Sequence, residues 1–255
     1  MRTIAIIQAR MGSSRLPGKM LLSLAGQPVV RHVYDRACRI VGVDEVLVAT
    51  TVARTDEPLA SYCAAHGIPI FRGSEDDVLD RYCQAARSRK ADVIVRITGD
   101  CPLLDPVESA RVLQLFNRTN GCDYASNTHP PFLPDGLDTE VVRAEALTRV
   151  WREIDDPVAR EHVTYYIPRH PEMFHLATVT STEDLSRHRW TLDNQDDYTF
   201  LAAVTDELQR RRQFGWLDEV LAVLRDIPKL AGINEQLQRN EGLQRSLKKQ
   251  LNLPS

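Results

Sequence analysis

Three cations lie close together near the start of the chain, in a stretch that also carries two glycines and two serines. The stretch is QARMGSSRLPGK, residues 8–19, and it follows the apolar run TIAII at residues 3–7. Glycines allow backbone N–H groups to turn toward an anion, and Arg10, Arg15 and Lys19 supply the positive charge that a polyanion needs. We therefore predict a buried strand that leads into a phosphate-binding loop, and a triphosphate is the natural guest.

The two best-known phosphate-loop motifs do not describe this stretch. The Walker A motif has four residues between its glycines and a Ser or Thr after its Lys, whereas five residues separate Gly12 from Gly18 and Met20 follows Lys19. The dinucleotide-binding fingerprint needs a second glycine two residues after the first, and Ser14 stands there. An exposed turn with solvated basic residues remains the alternative to a phosphate site.

Two aspartates follow predicted strands and could hold a metal ion. Asp100 comes after the strand predicted at residues 92–98, and Asp193 after the strand predicted at residues 189–192. The carboxyl ends of parallel strands meet at one edge of a sheet, so Asp100 should face the phosphate loop. A carboxylate opposite a triphosphate requires a cation between them, and Mg²⁺ bound by one or two carboxylates plus phosphate oxygens is the common solution. The alternative is that each aspartate only caps the helix after it.

A second group of polar residues suggests a place for another substrate. Asp138 and Glu140 alternate along a predicted strand and so share one face, which suits hydroxyl recognition or the outer shell of a metal. Arg160, Glu161 and His162 lie on a predicted helix, and Arg160 would suit an acceptor that carries a carboxylate. A solvated strand face and a surface ion pair are the alternatives.

The elements that must position these residues alternate between strand and helix. Further strands are predicted at residues 45–50, 68–71 and 92–98, and helices at 27–40, 56–66, 78–89 and 106–117. This alternation is typical of an α/β fold with a mostly parallel, Rossmann-like sheet and helices on both faces.

The chain changes character at about residues 122–170, where three prolines occur close together. We predict a small inserted flap there, used for dimerisation or substrate binding, with a strand at 139–142 and helices at 144–154 and 158–167. Strands near 175–180 and 189–192, with helices from residue 196 onward, complete an α/β domain over residues 1–210. Residues 211–255 are predicted to form a C-terminal helical tail.

Composition excludes several classes of function. The 255 residues carry a net charge of −3, which gives no general attraction to nucleic acid or to anionic membranes. The five cysteines have no CxxC spacing, which argues against a zinc site or a disulfide framework, and no apolar run approaches the ~20 residues that span a bilayer. We expect a cytoplasmic protein that uses small-molecule substrates.

Several segments together resemble the cytidylyltransferases that activate acidic sugars, such as CMP-Kdo synthetase and acylneuraminate cytidylyltransferase. The segments are QARMGSSRLPGK at 8–19, TGDCPL at 98–103 and LD at 192–193. Three more are closest to the branch of spore coat polysaccharide biosynthesis proteins of the SpsF type: RGSEDDVLDRY at 72–82, DGLDTE at 135–140 and REHVT at 160–164. The resemblance extends from residue 1 to the NEG tripeptide at 240–242.

This resemblance implies a nucleotide-diphospho-sugar transferase type of fold that uses CTP and Mg²⁺ and releases pyrophosphate. Arg10, Arg15, Lys19 and Asp100 would be the catalytic residues, with Asp100 and Asp193 as metal ligands. The implied nucleotide-binding residues are Ala9, Arg10, Gly12, Ser13, Ser14, Arg15, Lys19, Arg72, Gly73, Ser74 and Asp100. Residues 72–74 would lie near the cytosine, and the acceptor residues would be Asp138, Glu140, Arg160, Glu161 and His162.

The predicted activity is transfer of CMP from CTP to an acidic sugar or related acceptor, in surface polysaccharide biosynthesis, by a homodimer. One alternative is a glycosyltransferase of the same general fold, although no Asp-x-Asp motif follows the strand that ends at Thr98. Another is a non-catalytic nucleotide-binding protein, against which the presence of Lys19, Asp100 and Asp193 argues.

Overall fold

Strand β1 (Thr3–Gln8) lies inside a seven-stranded sheet in the computed structural model, which describes residues 1–251. The other strands are β2 (Ser23–Leu24), β3 (Gln27–Pro28), β4 (Glu45–Thr51), β5 (Ile70–Gly73), β6 (Val93–Thr98), β7 (Tyr124–Ser126), β8 (Glu140–Arg143) and β9 (Leu176–Thr178). The order across the sheet is β5-β4-β1-β6-β8-β7-β9, and β2 pairs with β3 in a separate hairpin.

The first four strands of that order run parallel, whereas β8 runs antiparallel to both β6 and β7. β9 pairs with β7 in parallel. Six of the seven strands therefore point the same way, which confirms the predicted mostly parallel sheet. The carboxyl ends of β5, β1 and β6 consequently share one edge, where ligands bind in α/β folds.

Helices cover both faces of the sheet. They are α1 (Val29–Ala37), α2 (Glu57–Ala65), α3 (Val78–Ser88), α4 (Pro106–Arg118), α5 (Ala144–Glu153), α6 (Pro157–His162), α7 (Gln195–Arg211), α8 (Leu217–Asp226) and α9 (Glu241–Gln250). Successive side chains of β1 alternate between two buried clusters: Ala5 and Ile7 pack in one, and Ile4 and Ile6 in the other. A strand that is apolar on both faces is therefore what a sheet covered on both sides requires.

Polar side chains begin several of the helices that follow the sheet. Asp77 accepts a hydrogen bond from Asp80 N at the start of α3, over 2.8 Å, and Asn194 with Asp197 forms a capping box at the start of α7. Asp105 accepts from Val107 N at the start of α4 and from Leu217 N, each over 2.8 Å. These caps fix where the loops that precede the helices leave the sheet edge.

Two expectations about local structure were wrong. Residues 189–192 do not form a strand of the sheet. Their backbone N–H groups bond to loop residues instead: Trp190 N donates to Asp135 O over 2.6 Å, and Leu192 N donates to Asp100 O over 2.8 Å. The helix expected over 158–167 ends at His162, since Val163 has a φ of 49° that no helix can continue.

The region at residues 122–170 supplies β7 and β8 to the central sheet as well as α5 and α6. An inserted flap used for dimerisation stays a prediction. No helix within residues 1–251 combines the length and the apolar character needed to cross a lipid bilayer.

Candidate active site

A glycine at the end of β6 brings Asp100 against the opening loop, residues 8–19. Gly99 N donates to Gln8 O over 2.8 Å. A Cβ on Gly99 would lie 2.9 Å from each of three atoms, Ala9 Cβ, Gln8 O and Met20 Sδ, so a side chain does not fit there. The absence of a side chain at Gly99 therefore allows the next residue, Asp100, to reach the loop's lysine.

Lys19 joins the two aspartates that the sequence predicted as metal ligands. Its Nζ donates to Asp100 Oδ2 over 2.8 Å, to Asp193 Oδ1 over 2.9 Å and to Leu192 O over 2.7 Å. We call Lys19, Asp100 and Asp193 the carboxylate centre. It lies where the opening loop, the end of β6 and the start of α7 meet.

The charges of the carboxylate centre stabilise one another. Burial by itself would lower the pKa of Lys19, but the nearby charges of Asp100 and Asp193 raise it above its usual value. Burial would likewise raise the pKa of Asp100, whereas the ammonium of Lys19 lowers it to about 2. Lys19 and Asp100 are therefore both charged at neutral pH.

Two carboxylates that converge on one cation are the donor set that Mg²⁺ uses beside a nucleotide. Within residues 1–251 no group of three or more His, Cys, Asp or Glu side chains could hold a metal ion. A metal at Asp100 and Asp193 would therefore complete its coordination with phosphate oxygens and water. The ammonium of Lys19 already shows that this position suits a cation, so the residues fit Mg²⁺.

The cations of the opening loop differ in what they contact. Arg15 forms an ion pair with Asp193, with Nη2 3.0 Å from Oδ2, and donates from Nη1 to Glu241, a residue near the C-terminus. Arg10 is exposed and has no hydrogen bond or ion pair with any residue of the described chain. Asp56, which is buried, accepts from Met11 N over 2.6 Å and so anchors the loop between the two arginines.

The segment predicted near the base, residues 72–74, follows β5 at the same sheet edge. The strands β5, β4, β1 and β6 are adjacent in that order. Three spacings of ~4.8 Å separate β5 from β6 by about 14 Å, which accommodates an extended nucleoside triphosphate. Arg72 donates to Thr51 O over 3.0 Å and to Glu57 over 2.7 Å, so its side chain braces the neighbouring loop.

Arg81, on α3 beside Gly73, is a residue that sequence reasoning missed. It is fully buried and donates from Nη1 to Ser74 O over 2.6 Å, whereas Nε and Nη2 have no partner within residues 1–251. Burial lowers its pKa, and the charge of Arg10 acts in the same direction. The signal in the sequence was an arginine on the apolar side of a helical pattern.

A cavity of about 280 Å³ adjoins the carboxylate centre on the side away from β5. We call it the acidic cavity, because six carboxylates line it. Residues of β6 and β8 form its floor. Its charged lining residues are Arg15, Arg96, Asp100, Asp135, Asp138, Glu140, Arg169, Asp193, Arg239 and Glu241, and His129 and His162 also line it.

Glu140 is held by three side chains in the floor of the acidic cavity. It pairs with Arg96 of the neighbouring strand, and it accepts hydrogen bonds from Tyr124 Oη and from Thr164 Oγ1, the latter over 2.7 Å. Arg96 and Glu140 are direct partners in the β6–β8 register. Burial would raise the pKa of Glu140, but Arg96 holds it below its usual value, so the carboxylate is charged.

Asp135 and Asp138 are brought to the cavity by a glycine between them. Gly136 has a φ of 114°, and a Cβ there would lie 2.7 Å from the carbonyl carbon of Trp190. Arg189 donates to Asp135 over 3.1 Å, and Arg239 pairs with Asp138. Burial, and then the charge of Asp138, raises the pKa of Asp135 to about 7.

The acceptor residues predicted from the sequence do not all lie together. Asp138, Glu140 and His162 line the acidic cavity, whereas Arg160 and Glu161 do not. Arg160 donates to Asp77 Oδ2 over 3.0 Å and to Trp151 O over 2.8 Å, which joins α6 to α3 and α5. The side chain of Arg160 is therefore a brace between helices, and its expected contact with the acceptor stays a prediction.

Arg96, Asp135, Arg189 and Arg239 were missed as site residues. The sequence does indicate a role for Arg96, because it is the one charged residue in the apolar strand Val93–Thr98. No sequence pattern indicates the role of Arg189, since its partners Asp135 and Asp197 are 54 and 8 residues away in the chain. Its role depends on how distant loops pack.

Comparison with known proteins finds one family throughout most of the chain. The profile described as cytidylyltransferase matches residues 4–237. An uncharacterised protein of Methanocaldococcus jannaschii is 34% identical over 243 residues, which cover 94% of this chain and 97% of that protein. The spore coat polysaccharide biosynthesis protein SpsF of Bacillus subtilis is 35% identical over 214 residues, 81% of this chain and 87% of that protein.

Among solved structures, a cytidylyltransferase from Leptospira borgpetersenii serovar Hardjo-bovis has the same fold. It superposes with a TM-score of 0.85 at 27% identity, and the match covers 93% of this chain and 98% of that one.

Proposed function

The chain belongs to the cytidylyltransferase family, and from this premise we propose that it transfers CMP from CTP to an acidic sugar or a related acceptor, with release of pyrophosphate. The resemblance noted in the sequence, including the SpsF branch, is confirmed by these matches. The observation that carries the proposal is the carboxylate centre, which lies between the cationic opening loop and the acidic cavity.

CTP would lie along the sheet edge from β5 to β6. Its base would approach the backbone of residues 72–74, and its phosphates would approach Arg10, Arg15 and Lys19. Arg10 supports this placement, because its charge is not neutralised by any residue within 1–251. Phosphoryl transfer depends mainly on positioning and on neutralising charge, which a loop of cations and backbone amides provides.

Mg²⁺ held by Asp100 and Asp193 would neutralise the charge that develops on the phosphates and the leaving pyrophosphate. Lys19 would then exchange its two carboxylate partners for phosphate oxygens. Its ammonium is fixed in place by Leu192 O, 2.7 Å away, so this positive charge stays at the centre throughout. An acceptor oxygen attacks the α-phosphorus, and the bond between that phosphorus and the bridging oxygen of pyrophosphate breaks.

The acceptor would occupy the acidic cavity. Carboxylates that are buried and held by arginines, such as Glu140 and Asp138, suit hydrogen bonds from the hydroxyl groups of a sugar. Arg169 also lines the cavity and stacks 3.7 Å from the Tyr165 ring, and no carboxylate pairs with it within the described chain. We assign to Arg169 the recognition of an anionic group, the role first expected of Arg160.

The test is pyrophosphate release by the purified protein with each of the four nucleoside triphosphates and a panel of sugar acids. We expect release only with CTP, Mg²⁺ and an acid from the panel, and little release with the corresponding neutral sugars. Release with a nucleotide sugar as donor instead would favour a glycosyltransferase. Binding of CTP without any release would favour a non-catalytic protein. Homodimerisation and a cytoplasmic location remain predictions.

A further inference from the structure

A segment near the C-terminus, residues 238–250, forms one wall of the acidic cavity. We call it the strap. Arg239, Asn240, Glu241, Gly242 and Leu243 line the cavity, and the rest of α9 lies against α6. The match to the family profile ends at residue 237, so the strap lies just beyond the segment that the profile describes.

The strap is attached mainly through polar contacts. Arg239 pairs with Asp138 and donates to Leu133 O over 2.9 Å, and Arg189 donates to Gln238 O over 2.9 Å. In α9, Ser246 Oγ donates to Glu161 over 2.8 Å, and no residue of this helix is buried. A segment with little buried apolar surface can detach at low cost in free energy.

One contact connects the strap to the opening loop. Glu241 pairs with Arg15, whose other terminal nitrogen holds Asp193 over 3.0 Å. Both terminal nitrogens of Arg15 are therefore engaged by carboxylates, although Arg15 is one of the three cations expected to receive the triphosphate. A triphosphate at Arg15 would displace Glu241 from the guanidinium and would also repel its carboxylate.

We propose that the strap is a triphosphate-sensitive lid of the acceptor site: Glu241 and the triphosphate compete for Arg15, so that binding of the nucleotide releases the strap and opens the acidic cavity. The proposal rests on the proposed function only in placing the triphosphate at Arg15, and it does not depend on the base. It implies that CTP binds before the acceptor enters.

Competition is reciprocal, so removal of the Glu241 charge must strengthen binding of the triphosphate. An ion pair at this degree of exposure contributes up to about 1 kcal/mol, which corresponds to about a fivefold change in Kd. We expect Glu241→Gln to bind inorganic tripolyphosphate about threefold to fivefold more tightly than the wild type, as measured by titration calorimetry.

Limited trypsin digestion of the full chain measures release of the strap directly. The strap contains Arg239, Arg245, Lys248 and Lys249, and mass spectrometry identifies cleavage at each of them. We expect tripolyphosphate or CTP to speed this cleavage severalfold in the wild type. Glu241→Gln should be cleaved fast without ligand, and ligand should add little.

Glu235→Gln is the matched control, because Glu235 is an exposed glutamate just before the strap. It should behave as the wild type does, and circular dichroism should show the same helical content in all three proteins. Cleavage that tripolyphosphate leaves unchanged or slows, or a Glu241→Gln variant that binds it no more tightly, would overturn the proposal. Equal release of the strap by ATP and CTP at the same subsaturating concentration would contradict the cytidine assignment alone and would leave the lid proposal standing.

Discussion

The two sides of the carboxylate centre differ in whether their arginines have carboxylate partners. On the β5–β1 side, the exposed Arg10 has no acidic partner in the described chain. On the β8 side, Arg96 pairs with Glu140, and Arg239 pairs with Asp138. On the first side Arg10 lacks the negative charge that a ligand would supply, whereas on the second side these two arginines already have carboxylate partners.

This difference indicates which substrate each side can take. A loop with a cation that lacks a carboxylate partner, as Arg10 does, gains most from a polyanion, because the ligand itself neutralises the charge. A paired network of buried acids and arginines gains most from hydroxyl groups, which add hydrogen bonds without adding charge. Lys19, Asp100 and Asp193 lie between the two sides, where we propose that the bond is exchanged.

The largest effect is expected from the residue shared by both sides. Lys19→Ala should lower turnover by about 10²-fold or more, because it removes a positive charge from the transferred phosphates. It also leaves Asp100 and Asp193 facing each other without the cation that they share, so the melting temperature should fall in the absence of metal. Mg²⁺ should restore much of that thermal stability, as read by differential scanning calorimetry, but not the turnover.

The contrasting variants are Asp100→Asn and Asp193→Asn. Each should slow pyrophosphate release by about 10²-fold, because each removes an anionic ligand for the metal. Raised Mg²⁺ or substituted Mn²⁺ should recover part of their activity by mass action, unlike that of Lys19→Ala. Near-normal activity of a folded Asp193→Asn protein would reduce Asp193 to a partner of Lys19 and Arg15.

A pair of variants separates the two sides. Glu140→Gln weakens a charged hydrogen-bonding group in the cavity and should raise the KM for the acceptor about tenfold, with the KM for CTP nearly unchanged. Arg10→Gln should do the reverse. Steady-state kinetics with each substrate varied in turn gives both values. If either variant changes both constants equally, the division into two sides is wrong.

A smaller effect concerns Asp135, whose pKa is raised to about 7. The folded protein keeps this proton over the range from about pH 4 to 7, where the unfolded chain has lost it, so the group destabilises the fold progressively as pH rises through that range. Asp135→Asn should flatten this part of the pH–stability profile and raise the melting temperature above pH 7 by a few degrees. A profile that keeps the wild-type slope would assign the slope to other groups.

The residues proposed for the nucleotide side were easier to predict from the sequence than those proposed for the acceptor side, and the reason is physical. Arg10, Arg15 and Lys19 belong to one contiguous loop after a buried strand, so their spacing alone brings them together. The acidic cavity is assembled from loops that are far apart in the chain. The positions of Asp135 and Asp138 in it depend on the backbone conformation of Gly136, which no local sequence pattern predicts. The contact of Arg160 with α3 was missed for the same reason: the helix was predicted, but not the face that packs against α3.

The central claim is that the carboxylate centre binds the triphosphate of CTP, and thermal denaturation with each nucleotide tests it most directly. With CTP at about 100 times its Kd, binding adds about 2.7 kcal/mol, which raises the melting temperature of a chain of this size by about 5–10 °C. We expect CTP with Mg²⁺ to give a larger shift than ATP, GTP or UTP, and Lys19→Ala to lose that shift. Equal shifts for all four nucleotides, or a full CTP shift in Lys19→Ala, would contradict the account.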